Sequence, residues 1–219
     1  MVVEVTPRPQ AQPDGESIDH SHDVYTVANI VTLLRLIMVP IFFAVMITGE
    51  NDVLAFALFA AAASTDWLDG QIARRTGTVT ALGKAIDPLV DRLLIAAGVL
   101  GLYAIDRLPL WMMLLLFARD IYLGFGAWRL EQNYHRRLSV TFTGKVTTAL
   151  LLIGFSDLIL NWPMVPGLNV IESPALPGFG SSEAVLGIWF VYAGLAFSVL
   201  SALQYTALFL RHVREAGHQ

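Results

Sequence analysis

Six apolar runs, each about as long as the hydrocarbon core of a bilayer is thick, limit what this chain can fold into. They fall approximately at 27–48, 53–75, 83–104, 108–130, 139–161 and 183–210. Crossing a bilayer takes roughly 20 apolar residues. Backbone in lipid must satisfy its own hydrogen bonds, so each run reads as a helix. The expected fold class is all-α and integral to the membrane, with six transmembrane helices. Only 15% of the 219 residues are charged, where a soluble domain carries about a quarter. Soluble enzymes, secreted disulfide scaffolds and nucleic-acid binders are therefore poor readings. With no Cys in the chain, disulfide frameworks, thiolate metal sites and cysteine nucleophiles are excluded as well.

Residues 1–23 are polar and hold Pro7, Pro9 and Pro13 among the acids Asp14, Glu16, Asp19 and Asp23. With no basic start and no apolar h-region, this stretch reads as a mobile polar tail and not a cleaved signal peptide. Residues 24–219 form the expected six-helix domain. The basic residues give its sidedness. Arg74, Arg75 and Lys84 flank the second connection, Arg129, Arg136, Arg137 and Lys145 the fourth, and Arg211 and Arg214 follow the last helix; the opposite side holds only Arg107. Positive charge stays cytoplasmic, so both termini are expected in the cytoplasm. The 162–182 connection, rich in Pro and Gly and free of Lys and Arg, is expected to be an outer loop.

Four carboxylates stand close together in the apolar runs: Asp66 and Asp69 in the second, Asp87 and Asp91 in the third. An ionisable group within a span costs about 2.5–3.5 kcal/mol on insertion scales and is a functional candidate by default. The i,i+3 and i,i+4 spacings put each pair on one helix face. The two helices are neighbours in sequence and antiparallel, so both pairs lie toward the cytoplasmic end. Four facing carboxylates repel unless cations intervene, and hard oxygen donors without Cys or His suit Mg²⁺, Mn²⁺ or Ca²⁺. Gly70, Ala73 and Gly83 are small where a bulky group must approach, and Arg74 stands beside them as a bidentate phosphate partner. Helix packing is the commoner reason for small residues in spans. An ion-pair network with Arg74, Arg75 and Arg92 is the structural alternative for the acids.

Asp66-x-x-Asp69-Gly70-x-x-Ala73-Arg74, eight residues, then Gly83-x-x-x-Asp87-x-x-x-Asp91 resembles the complete signature of the CDP-alcohol phosphatidyltransferase family, and the six-helix layout over roughly 27–212 is similar to that family's. The resemblance implies attack of an acceptor hydroxyl on the β-phosphorus of CDP-diacylglycerol, with CMP as leaving group. It implies Asp66, Asp69, Asp87 and Asp91 as ligands of two divalent ions, Mg²⁺ or Mn²⁺, with Asp91 also the general base. Asp66, Asp69, Gly70, Ala73, Arg74 and Gly83 would then line the CDP pocket. Two ions can clamp a diphosphate and stabilise the leaving group. A carboxylate among cations is a weak base, but the hydroxyl needs help only as it attacks. The resemblance further implies a homodimer in the cytoplasmic (inner) membrane, multi-pass, working among bilayer lipids with its active site on the cytoplasmic side.

For the acceptor, Asn29-x-x-Thr32-x-x-Arg35 and then Pro40 in the first helix resemble the glycerophosphate branch. Arg119, inside the fourth segment, and Lys145, opening the fifth within Gly144-Lys145-Val146-Thr147-Thr148, are further cations for an acceptor phosphate. Arg119 is equally suited to pair with Asp120. The run Leu82–Arg92 is similar to phosphatidylglycerophosphate synthases. Thr147 stands where that branch usually has Lys, and Asp120 where it usually has Glu. The Arg119-Asp120 and Gly144-Lys145-x-x-Thr148 patterns also resemble an actinobacterial-type branch that includes cardiolipin synthases. Glycerol 3-phosphate is favoured as acceptor, ahead of phosphatidylglycerol and inositol phosphate. A cation-coupled transporter would spread its acids across the bilayer and repeat its halves; this chain does neither. Trp111, Trp128, Trp162 and Trp189 fall near helix ends, as interfacial anchors do.

Overall fold

The computed structural model describes the backbone of residues 27–76, 81–134 and 141–216, and side chains within 31–65, 89–132 and 141–207. Six helices are present among the described residues: α1 (Val27–Thr48), α2 (Asp52–Thr76), α3 (Ala81–Ala104), α4 (Leu110–Tyr134), α5 (Phe142–Leu160) and α6 (Gly187–Ala216). Each coincides with one expected segment, with ends moved by a few residues. Among the described residues, three stretches are long and apolar enough to cross a membrane on length and composition: Val31–Thr48, Phe142–Leu160 and Gly187–Ala207. Asp52–Thr65 is a further, shorter apolar stretch among the described residues. Charged residues interrupt α2, α3 and α4, and these include every acid of the motif. The polar tail expected at 1–23 lies outside the described residues.

Helical periodicity explains which face of α1 turns inward. Thr32, Arg35, Val39, Phe42 and Met46 are its buried positions, an alternation of three and four residues that makes one stripe. Ala55, Phe59 and Ala62 make the matching stripe on α2, and Leu94, Val99 and Leu102 are buried on α3. The Phe42 and Phe59 rings meet at 5.4 Å between centroids. Two glycines on α3 let these side chains in. A Cβ on Gly98 would stand 3.4 Å from the Phe59 ring, and one on Gly101 would stand 2.6 Å from Met46 Sδ. α5 and α6 cross more closely still, since a Cβ on Gly187 would fall 2.5 Å from the Gly154 carbonyl oxygen. Small residues of this kind let helix backbones touch in lipid, where no hydrophobic force drives the helices together.

The all-α expectation needs one correction. The 162–182 connection is not wholly irregular, because two short strands, β1 (Met164–Val165) and β2 (Ala184–Val185), pair antiparallel across its base. The tight α5–α6 crossing brings the two ends of the loop together and makes that pairing possible. Glu172 accepts a hydrogen bond from the Ser181 N–H at 2.8 Å, and its bonds to Ser181 hold this exposed carboxyl below its ordinary pKa.

Arg107, the one cation at that end of the bundle among the described residues, acts as a clamp. Its Nη2 meets Asp52 Oδ2 at 2.8 Å, at the start of α2. Its Nη1 donates to the carbonyls of Leu158 (3.2 Å) and Ile159 (3.0 Å) at the end of α5, which have no helical partner further on. Arg107→Ala should cost about 1–3 kcal/mol of stability, the usual range for charged hydrogen bonds. Thermal unfolding of the solubilised protein reads this as a lowered Tm with turnover per folded molecule unchanged. An unchanged Tm would show that the clamp contributes nothing.

Candidate active site

The three inward stripes turn polar at the same end of the bundle. On α1 the apolar positions Met46, Phe42 and Val39 give way to Arg35 and Thr32. On α2 the register through Ala55, Phe59 and Ala62 runs on along the continuous helix to positions 66 and 69. On α3 it runs back from Gly98 and Leu94 to Asp91 and then to position 87. Asp91 of α3 and Thr65 of α2 are thereby brought against Arg35 of α1.

Arg35 joins these helices. Its side chain is 0% exposed, and its Nη1 donates to Asp91 Oδ1 at 2.8 Å. Its Nε donates to Thr65 Oγ1 at 3.4 Å, and Thr65 in turn donates to the Ala62 carbonyl of its own helix. A guanidinium so deeply buried persists only when paired, and the pairing fixes where Asp91 points. The Asp91 side chain is held there while remaining 39% exposed. The sequence suggested Arg35 as an acceptor contact; the structure shows it bound to Asp91 and Thr65. Thr32, one turn away, is buried at 4% exposure.

The other cations lie on a second wall. Arg119 Nη1 pairs with Asp120 Oδ1 at 2.7 Å, the pairing the sequence left open, while Arg119 Nε is buried with no hydrogen-bond partner. Arg92, Arg119, Asp120 and Thr148 line a cavity of about 90 Å³ between α3, α4 and α5, whose remaining walls are apolar, from Ile95 to Phe155. Sequence reasoning did not assign Arg92 to this wall. Lys145 is exposed in the first turn of α5, a helix capped by Thr141, whose Oγ1 accepts the Gly144 N–H at 3.2 Å. Thr147 is fully buried and donates to the Thr143 carbonyl.

The backbones of Asp66, Asp69, Gly70, Ala73 and Arg74 lie in α2, those of Gly83 and Asp87 in α3 and that of Asn29 in α1, but their side chains lie outside the described residues. Among the described residues no group of three His, Asp or Glu gathers to hold a metal. The donor set still fits one. The motif supplies carboxylates alone, as hard divalent ions prefer, and Asp91, the one motif acid whose side chain is described, is held by Arg35.

These features define a multi-pass helical membrane protein with a polar, carboxylate-bearing site at one end of its bundle. A model of the CDP-alcohol phosphatidyltransferase family matches residues 25–206, and the chain belongs to that family. It is 34% identical over 173 residues to a probable phosphatidylglycerophosphate synthase of Mycobacterium tuberculosis, covering 76% of this chain and 82% of the relative. It is 31% identical over 185 residues to a CMP-forming cardiolipin synthase of Streptomyces coelicolor (80% and 84%). A CDP-diacylglycerol–glycerol-3-phosphate 3-phosphatidyltransferase of Bacillus subtilis is 31% identical over 198 residues (83% and 94%).

Proposed function

We propose that the chain transfers the phosphatidyl group of CDP-diacylglycerol to a hydroxyl of glycerol 3-phosphate, releasing CMP. The observation that carries this reading is the Arg35–Asp91 pair, which holds one oriented carboxylate at the end of the bundle where the acid-bearing helices meet. Family membership and relatives named for this reaction support it.

In this reading Asp66, Asp69, Asp87 and Asp91 hold two divalent ions, Mg²⁺ or Mn²⁺, which when bound neutralise the diphosphate and stabilise the departing CMP. Asp91 also accepts the proton of the acceptor hydroxyl as that oxygen attacks the β-phosphorus. Arg35 is a positioning residue that holds Asp91 in place. Gly70, Ala73 and Gly83 leave room for the CDP group, and Arg74 binds its phosphates. Asn29, Thr32, Arg119 and Lys145 receive the acceptor, the two cations taking its phosphate.

All six helices span the bilayer, with both termini cytoplasmic. The active site opens to the cytoplasmic face of the cell membrane, residues 24–219 form one domain, and the protein works as a homodimer. The distribution of Lys and Arg supports the orientation.

The cavity between α3, α4 and α5 favours a second reading. Its lining below Arg92 and Arg119 is apolar, which suits an acceptor with an acyl chain, as in the cardiolipin synthase reaction with phosphatidylglycerol. The purified protein in lipid nanodiscs, supplied with CDP-diacylglycerol and Mg²⁺, separates the two. CMP release on adding glycerol 3-phosphate supports the first reading, and release with phosphatidylglycerol alone moves the assignment to the second.

A further inference from the structure

We infer that the α5–α6 connection is a membrane-seated anchor, a rigid loop whose apolar half, residues 162–171, lies in the lipid interface at the end of the bundle opposite Asp91. It goes beyond the transferase reading and uses none of its catalytic residues.

Within ten residues the loop exposes five large apolar side chains: Trp162 (65%), Met164 (48%), Leu168 (53%), Val170 (68%) and Ile171 (50%). In water such a concentration marks an interaction site. The exposure is built into the loop and does not come from looseness. Leu168 and Val170 donate backbone hydrogen bonds to the carbonyls of Gly178 (2.9 Å) and Phe179 (2.8 Å). Trp111 Nε1 donates to the Ala175 carbonyl at 2.7 Å, and the Tyr192 hydroxyl to the Pro177 carbonyl at 3.2 Å. Phe179 packs against Trp189 and Tyr192 at 5.2 and 5.4 Å between ring centroids. The inner half of the loop is thus riveted to α4 and α6 while the 162–171 half faces outward.

The occupant follows from position. The loop starts where Phe142–Leu160 ends and stops where Gly187–Ala207 begins, both of them stretches fit to cross a membrane. Its apolar half therefore continues the lipid-facing surface of those helices at the depth where Trp and Tyr collect. With no Lys or Arg between 162 and 182, attraction to anionic headgroups plays no part. Burial of apolar area alone seats the loop, about 5–10 Å into the headgroup and acyl boundary.

The chain has no cysteine, so Val170→Cys in the full-length protein takes a single environment-sensitive fluorophore. In phosphatidylcholine nanodiscs the label should emit in the blue. Lipids with a nitroxide near the headgroup should quench it at least about twofold more than lipids with one near the chain terminus, as the shallow depth requires. Adding phosphatidylglycerol should change neither result. A label at Ser182→Cys, on the exposed polar side of the loop, should emit as in water, and Leu168→Cys serves as second reporter should Val170→Cys fold poorly. Water-like emission at both apolar positions overturns the inference. So does blue emission without quenching by either lipid, because a protein partner or a second copy would then cover the patch. CMP release measured on the same samples reads the transferase assignment separately.

Discussion

Asp91→Asn should lower CMP release by about 10²–10⁴-fold, the usual contribution of a positioned general base. The substitution keeps size and shape, and the amide oxygen can still accept the hydrogen bond that Arg35 Nη1 gives to Asp91 Oδ1. What it removes is a proton acceptor and one negative charge. Turnover should therefore collapse while helix content and Tm fall little, since a side chain 39% exposed lets water relieve part of the lost pairing. Steady-state CMP release together with circular dichroism makes the separation. Full turnover in the variant would rule out Asp91 as base.

Arg35→Met should have the second largest effect, a loss of about 10²-fold in kcat, as expected when a reacting group is misplaced by about an ångström. Methionine fills much of the volume without stranding a buried charge, so the fold should survive. Arg35→Lys should not rescue activity, because a point charge cannot reach Asp91 and Thr65 with the geometry of a guanidinium fork. The kinetic split decides what Arg35 does. A positioning residue lowers kcat and leaves the KM for glycerol 3-phosphate near its original value, whereas a residue that grips the acceptor phosphate raises KM.

The helices were readable from the sequence because a long apolar run has few alternatives to a helix, and six helices lie within a few residues of the expected ends. The stripe on α1 was readable too, once Thr32 and Arg35 are seen to continue the spacing of Val39, Phe42 and Met46. The partner of Asp91 was not. Arg74, Arg75 and Arg92 were the cations of the alternative ion-pair network; among the described side chains the cation on Asp91 Oδ1 is Arg35, 56 residues away. The available signal was that Arg35 is the one charge in an otherwise uncharged span, where a buried cation needs a carboxylate. The strand pairing at the base of the 162–182 loop left no trace, because two-residue strands have no periodicity and arise from the close approach of α5 and α6. The Arg119–Asp120 pair was only half legible, since neighbours on a helix diverge by about 100° and meet through side-chain reach.

Metal dependence tests the central claim most directly, because four carboxylates on two neighbouring helices make chemical sense in lipid chiefly as ligands. Purified protein in nanodiscs with CDP-diacylglycerol and glycerol 3-phosphate should form CMP and phosphatidylglycerophosphate in equal amounts. Turnover should stop on chelation with EDTA and return on adding Mg²⁺ or Mn²⁺. CMP formation that continues undiminished in EDTA would contradict the account.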